Sequence, residues 1–148
     1  MELCLFRIDH QEYALPMSNV REVLNRPRVS PVPLSPDILS GIIHFRGQIV
    51  PVFAIDHLFE NFNSSPTLEE RSRILILTQE HQTLGIQVDQ VDEISLPDEL
   101  GTFFTDNPPF LLGMALTHAG HSFKPTSLPR LVQSLSHTLS NVTLNLLD

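Results

Sequence analysis

Apolar residues in this chain fall into short runs separated by polar turns, and the spacing within the runs is mostly that of strands. Leu3, Leu5 and Arg7 alternate with Cys4, Phe6 and Ile8; a polar DHQE stretch follows, and Tyr13-Ala14-Leu15 resumes the pattern. Period-two runs on either side of a polar turn predict a β-hairpin. The same plan returns over residues 74–88 as ILILTQ, EHQT and LGIQV. Met17, Val20, Val23 and Leu24 are spaced to share one face of a short helix or helical turn. Residues 26–37, RPRVSPVPLSPD, hold four prolines; proline lacks an N–H and disfavours helix in its predecessor, which predicts an extended surface connector. The polar stretch 61–70 reads as a linker between halves, and residues 96–109, rich in Pro, Asp and Gly, read as a loop.

One strong helical stripe stands near the C-terminus. Leu128, Leu131, Val132, Leu135 and Leu139 recur at helical spacing, with Ser127 as N-cap and Pro129 in the first turn. A stripe of that kind packs on a core, each side chain contributing on the order of 1.5–3 kcal/mol before entropy is subtracted.

The chain also resembles itself. A shift of 71 places residues 9–23 on residues 80–94, so that His10-Gln11 falls on His81-Gln82, Leu15 on Ile86, Val20 on Val91 and Val23 on Ile94. Leu3 and Leu5 fall on Ile74 and Ile76. With a slightly larger shift, residues 41–43 fall on 113–115 and the Arg46-Gly47 turn on Ala119-Gly120. Two halves with one plan are therefore expected, over about residues 3–60 and 72–139 of a single domain 1–148. Short strands with Gly- and Pro-rich turns point to small barrels or a sandwich.

Composition narrows the function. Hydrophobic residues make up 41% and charged residues 18%, which is globular material. The formal net charge is -8, and the nine Lys and Arg form no stripe; nucleic acid is therefore not an expected partner. No run approaches the roughly 20 apolar residues that a bilayer span needs, and residues 1–9 carry no secretory pattern. A cytoplasmic protein is expected, without membrane insertion. The single Cys4, set between leucines, reads as a small buried core residue.

Groups for catalysis do not converge. His118 and His121 flank the Ala119-Gly120 turn with no third ligand at metal spacing. His10 and His81 occupy equivalent turns, and His44 reads as a partly buried strand histidine. No GxSxG, Walker loop, GxGxxG or CxxC occurs. No enzyme activity, cofactor or metal is expected.

The informative stretch is GIIHFRGQIVPVF, residues 41–53. Gly47 supplies the positive φ of a tight hairpin, and Pro51 belongs where no ladder N–H is needed, on an edge strand or at a bulge. Arg46 at the tip brings five donors and a flat cation, which suits an interface. This stretch closely resembles the signature of CheW-like domains, Gly-x-x-Asn-x-Arg-Gly-x-x-x-Pro-Val-x-Asp-Leu. YALPMSNVREVL (residues 13–24) is similar to the family's early strand and Val-x-Glu-Val turn. LGIQVDQVDEI (residues 84–94) is similar to its Gly-(Ile/Val)-x-Val-Asp-x-Val segment. Two residues depart from the signature: His44 stands for the usual asparagine and Ala54 for the aspartate, with Asp56 nearby. In the second half Lys124-Pro125 interrupts a strand, which is expected to be shortened, frayed or moved to an edge.

The resemblance implies a mainly β fold: two SH3-like, five-stranded β-barrel subdomains around a shared hydrophobic centre, with a C-terminal helix. It implies a non-catalytic adaptor that joins the regulatory domain of a CheA-type histidine kinase to the cytoplasmic tip of a chemoreceptor, in the cytoplasm at membrane receptor arrays. It further implies that Val20, Glu22, Arg46 and Val88 lie on or near a receptor-facing groove. Asp89 either caps a strand end or meets a partner, and Gly41, Gly47 and Pro51 shape the hairpin. The alternative is the same fold with another partner, in a pilus or light-directed array or as a competitor for the kinase alone.

Overall fold

The computed structural model describes residues 1–25, 27–58, 73–106 and 115–147. The linker expected at 61–70 lies outside the described residues, as do Gly113 and Met114. The strands are β1 (Glu2–Ile8), β2 (Gln11–Pro16), β3 (Val20–Asn25), β4 (Leu39–Phe45), β5 (Gln48–Phe53), β6 (Arg73–Gln79), β7 (Gln82–Val88), β8 (Gln90–Ser95), β9 (Leu116–His118) and β10 (His121–Pro125). Helices α1 (Asp98–Asp106) and α2 (Leu128–Leu147) follow β8 and β10. The strands form two five-stranded sheets, ordered β8-β1-β2-β10-β9 and β3-β6-β7-β5-β4.

Under the 71-residue shift β1 coincides with β6, and β2 and β3 overlie β7 and β8. Replacing each strand of one sheet by its counterpart then reproduces the order of the other. The sheets, however, do not follow the halves of the sequence expected at 3–60 and 72–139. The β1–β2 hairpin joins β8, β9 and β10, whereas β6–β7 joins β3, β4 and β5. Each half thus lends its first hairpin to the other half's sheet. Self-similarity identifies equivalent segments, but it cannot tell which of two equivalent hairpins a strand will pair with.

Both hairpins are covered on both faces, which explains their unbroken apolar runs. Cys4, Phe6 and Ile8 of β1 and Leu75 and Leu77 of β6 face one shared central core with Leu15, Leu84, Ile86 and Val88. Their neighbours turn the other way: Leu3 and Leu5 enter a core of the first sheet with Ala14, Leu96 and Phe123. Ile74 and Ile76 enter a core of the second with Ile43, Phe45, Val50 and Val52. Helix α2 closes the centre as expected, burying Leu128, Leu131 and Leu135 there, with Val132 and Leu139 at the margin. The Arg130 N–H donates to Ser127 Oγ at 3.5 Å, the long but recognisable N-cap contact.

Three local expectations are corrected. Met17–Asn19 is a single 3-10 turn, and Val20–Asn25 is a strand; β-branched Val20 and Val23 gain more by pairing with β6 than from a helix that short. Residues 98–106 are helical rather than loop. Asp98 and Glu99 in the first turn complement the helix dipole, while Leu96 and Leu100 anchor the segment on the first sheet's core. Pro51 lies on β5, an interior strand. Pairing of β5 with β7 begins only at Val52, so proline needs no partner on that side. The bulge is on β4 instead, between Leu39 and Gly41. The strand holding Lys124-Pro125 is short, five residues, and also interior.

The proline-rich connector is not extended throughout, since it turns at Pro33-Leu34 with Leu34 at φ 62°, but it crosses β4: the Ser30 N–H donates to Ile42 O and the Ile42 N–H to Ser30 O, both at 2.9 Å. This approach requires glycine at Gly41, where φ is +154° and a Cβ would stand 2.3 Å from Ser30 O. At Gly47 φ is +78° and nothing lies within 4 Å of the same position. Gly41→Ala is therefore expected to destabilise the fold by about 1–3 kcal/mol through overpacking, on top of the strained φ. Gly47→Ala should cost about 1 kcal/mol for the φ alone. Urea denaturation of both variants checks the order.

Cys4 is fully buried. Desolvation, helped by Glu93 and Asp92, pushes its thiol from 9.0 up to about 12. The folded chain therefore keeps a proton that the unfolded chain releases above pH 9. This contribution to stability is complete below pH 9 and is lost as pH rises toward 12. Compared with Cys4→Ala, the wild-type chain should lose stability faster over that window, by at most about 1.4 kcal/mol per pH unit. Denaturation midpoints measured across pH 8–11 check this, and native Cys4 should resist alkylation until the chain unfolds.

Candidate interaction site

The β4–β5 hairpin turns through Arg46 and Gly47, with φ of 48° and 78°. Two consecutive positive φ values are what a two-residue hairpin loop needs to match strand twist. Its counterpart, Ala119-Gly120, repeats them at 51° and 81°. At the first position asparagine or glycine would be comfortable, whereas other L residues pay about 1–2 kcal/mol. Arginine occupies it nonetheless.

What Arg46 receives locally, an ion pair and an aromatic contact, is of the same order as that cost. One guanidinium nitrogen lies 3.7 Å from Glu22 Oε2, with the two side chains 61% and 38% exposed. A surface pair of this kind contributes between zero and about 1 kcal/mol. The guanidinium also lies 5.2 Å from the centroid of the Phe45 ring. Glu22 belongs to β3 and Arg46 to the end of β4, the two outermost strands of the sheet. Long side chains from the two margins therefore reach one another at this end.

A second arginine enters there. Arg21 of β3 lies 5.6 Å from the same Phe45 centroid. On β3, Val20 faces Leu77 and Glu22 faces Ile76, so Arg21 is the extra residue of a β-bulge. Bulges redirect side chains that a regular strand would alternate, and here consecutive Arg21 and Glu22 meet consecutive Phe45 and Arg46. Sequence reasoning missed Arg21 and Phe45. The Phe-Arg-Gly tripeptide placed Phe45 next to the tip, but Arg21 depends on a bulge that no pattern in β3 announces.

The other candidate residues separate by burial. Val88 is fully buried in the central core and presents no surface, which corrects its expected place in a groove. Val20 is half-buried and packs on that same core. Asp89 caps a turn: its Oδ2 accepts the Asp9 N–H at 2.6 Å, and its own N–H donates to Arg7 O at 2.8 Å. Gly41, Gly47 and Pro51 shape the hairpin as described. His44 is exposed rather than partly buried, opposite Ile49, which is 63% exposed. His121 Nδ1 lies 3.1 Å from Glu12 Oε2. Among the described residues no three His, Cys, Asp or Glu side chains could hold a metal ion, and no helix is long and apolar enough to cross a membrane.

Comparison with known proteins places this geometry. Residues 2–135 match the family model of the CheW-like domain. Chemotaxis protein CheW of Klebsiella aerogenes is 26% identical over 93 residues, covering 63% of this chain and 55% of that protein. Probable chemotaxis protein CheW of Rhizobium etli is 29% identical over 100 residues, covering 67% and 63%. Chemotaxis protein CheW of Thermotoga maritima is 29% identical over 90 residues, covering 61% and 58%. The matched segments thus span 55–63% of these relatives' own lengths. The crystal structure of the scaffolding protein TtCheW from Thermoanaerobacter tengcongensis shares the fold. Its TM-score is 0.69 at 22% identity, over 88% of this chain and 90% of that one. The family match takes in both sheets and the buried part of α2, and this chain belongs to the CheW-like domain family.

Proposed function

We propose that this chain is a non-catalytic adaptor that couples a chemoreceptor to a CheA-type histidine kinase by contact alone. One apolar surface docks on the kinase's regulatory domain, and the Arg46 end of the second sheet meets the cytoplasmic tip of the receptor. Kinase and receptor are held in register, so that a change in the receptor reaches the kinase without chemistry in the adaptor. It works in the cytoplasm, at membrane receptor arrays.

The observation that carries this reading is Arg46. An arginine stands where the backbone prefers glycine or asparagine, at φ 48°. It remains 61% exposed, and among the described residues it pairs with Glu22 at the long distance of 3.7 Å. Ala119 holds the same conformation at 51°, so what marks Arg46 is its exposed guanidinium at the hairpin tip, which suits a contact with a partner. Family membership over residues 2–135 supports a chemotaxis adaptor role.

Arg46→Glu separates the two roles. Binding of a receptor-tip fragment is expected to weaken more than about tenfold, because a lost charge pair is replaced by a repulsive one. The unfolding temperature should shift by no more than the loss of one surface pair allows, since the pair is worth under about 1 kcal/mol. Calorimetric titration and thermal denaturation of the same preparation give both numbers. Equal loss of binding and stability would make Arg46 structural.

A further inference from the structure

We infer that Arg21 and Arg46 together form a carboxylate clamp, two guanidiniums gathered on Phe45 to take an acidic side chain of a protein partner. The identity of that partner rests on the adaptor reading; the chemistry of the clamp does not.

Both guanidinium carbons lie within 6 Å of one ring centroid, at 5.6 and 5.2 Å. Phe45 itself is only 6% exposed and belongs to the core of the second sheet, so the ring is a fixed floor rather than a mobile side chain. A cation on an aromatic face is held laterally while its N–H donors stay free at the edge. Each fork has the planar donor arrangement that carboxylates accept, and the shared ring limits how far apart the two can stand. Among the described residues the ion pairs include one carboxylate here, Glu22, and it reaches Arg46 only. Two cations against one anion leave the patch positive, on a chain whose formal net charge is -8.

The molecule contains its own comparison. In the first sheet the strand equivalent to β3 is β8, which pairs with β1 in unbroken register: Val91 with Phe6, Asp92 with Leu5, Glu93 with Cys4. It has no bulge, and Asp92 stands where Arg21 stands in β3. The equivalents of Phe45 and Arg46 are His118 and Ala119. The same strand order and hairpin conformation are thus built without the bulge, the ring or either arginine. The fold does not require the cluster. A function confined to one sheet accounts for it.

An acidic protein segment fits better than a nucleic acid. A single pair of guanidiniums on a chain with this overall charge cannot track a phosphate backbone, whereas one Glu or Asp side chain matches it in size and charge.

The test follows the arginine Nε–H resonances by NMR while the full chain is titrated with a receptor-tip fragment and, separately, with hexaglutamate peptide. Arg21 and Arg46 should both shift with each probe, and less at high salt. Arg21→Glu should weaken fragment binding about tenfold or more, and Arg21→Lys about threefold, since charge remains but the fork is lost. If the fragment binds as tightly to Arg21→Glu as to the wild-type chain, the clamp is wrong and the adaptor reading stands. If the fragment fails to bind while hexaglutamate moves both arginines and Arg21→Glu abolishes that shift, the clamp stands and the receptor assignment falls. If neither probe moves Arg21, the clamp is overturned. Unchanged dispersion of the backbone spectrum in each variant confirms that it is folded.

Discussion

Everything in this molecule depends on two hairpins that are apolar on both faces. β1–β2 and β6–β7 stand back to back, with Phe6, Leu15, Leu75 and Ile86 between them and Leu3, Leu5, Ile74 and Ile76 turned outward into separate cores. A sheet of this kind has no face left for water, and each hairpin must be covered twice. The second covering comes from strands of the other sequence half, which ties the halves into one unit. Helix α2 then seals the centre with Leu128, Leu131 and Leu135.

That arrangement leaves the function to the margins. The central strands are spent on packing, so surface chemistry can sit only on the outer strands and at hairpin tips. In the second sheet a bulge on one outer strand brings Arg21 and Glu22 to Phe45 and Arg46 at the end of the other. In the first sheet the corresponding margin is regular and acidic. One plan, used twice, carries the arginine cluster once.

Much of the fold was legible because burial dictates pattern. The continuous runs LCLF and ILIL, the leucine stripe of α2 and the Arg-Gly hairpin were all visible, and the repeat gave the equivalence of strands. Hairpin exchange was not visible, since two copies of one pattern leave pairing undetermined. Helix α1 was missed because Pro97 and Gly101 outweighed the Leu96-Leu100 spacing. The site was legible only in part. Motif and conformation singled out Arg46, Glu22 and Gly41, whereas Val88 is buried, because a motif names positions without saying which way they face. Arg21 was invisible because a bulge, rather than the strand period, directs it.

The most direct measurement is a calorimetric titration of this chain with the regulatory domain of a CheA-type kinase from the same organism, followed by receptor-tip fragment in the same cell. An adaptor should bind the kinase domain and then take up the receptor fragment without releasing it, giving one complex of three components. Absence of heat with both partners, or displacement of the kinase domain by the fragment, would contradict coupling by this chain.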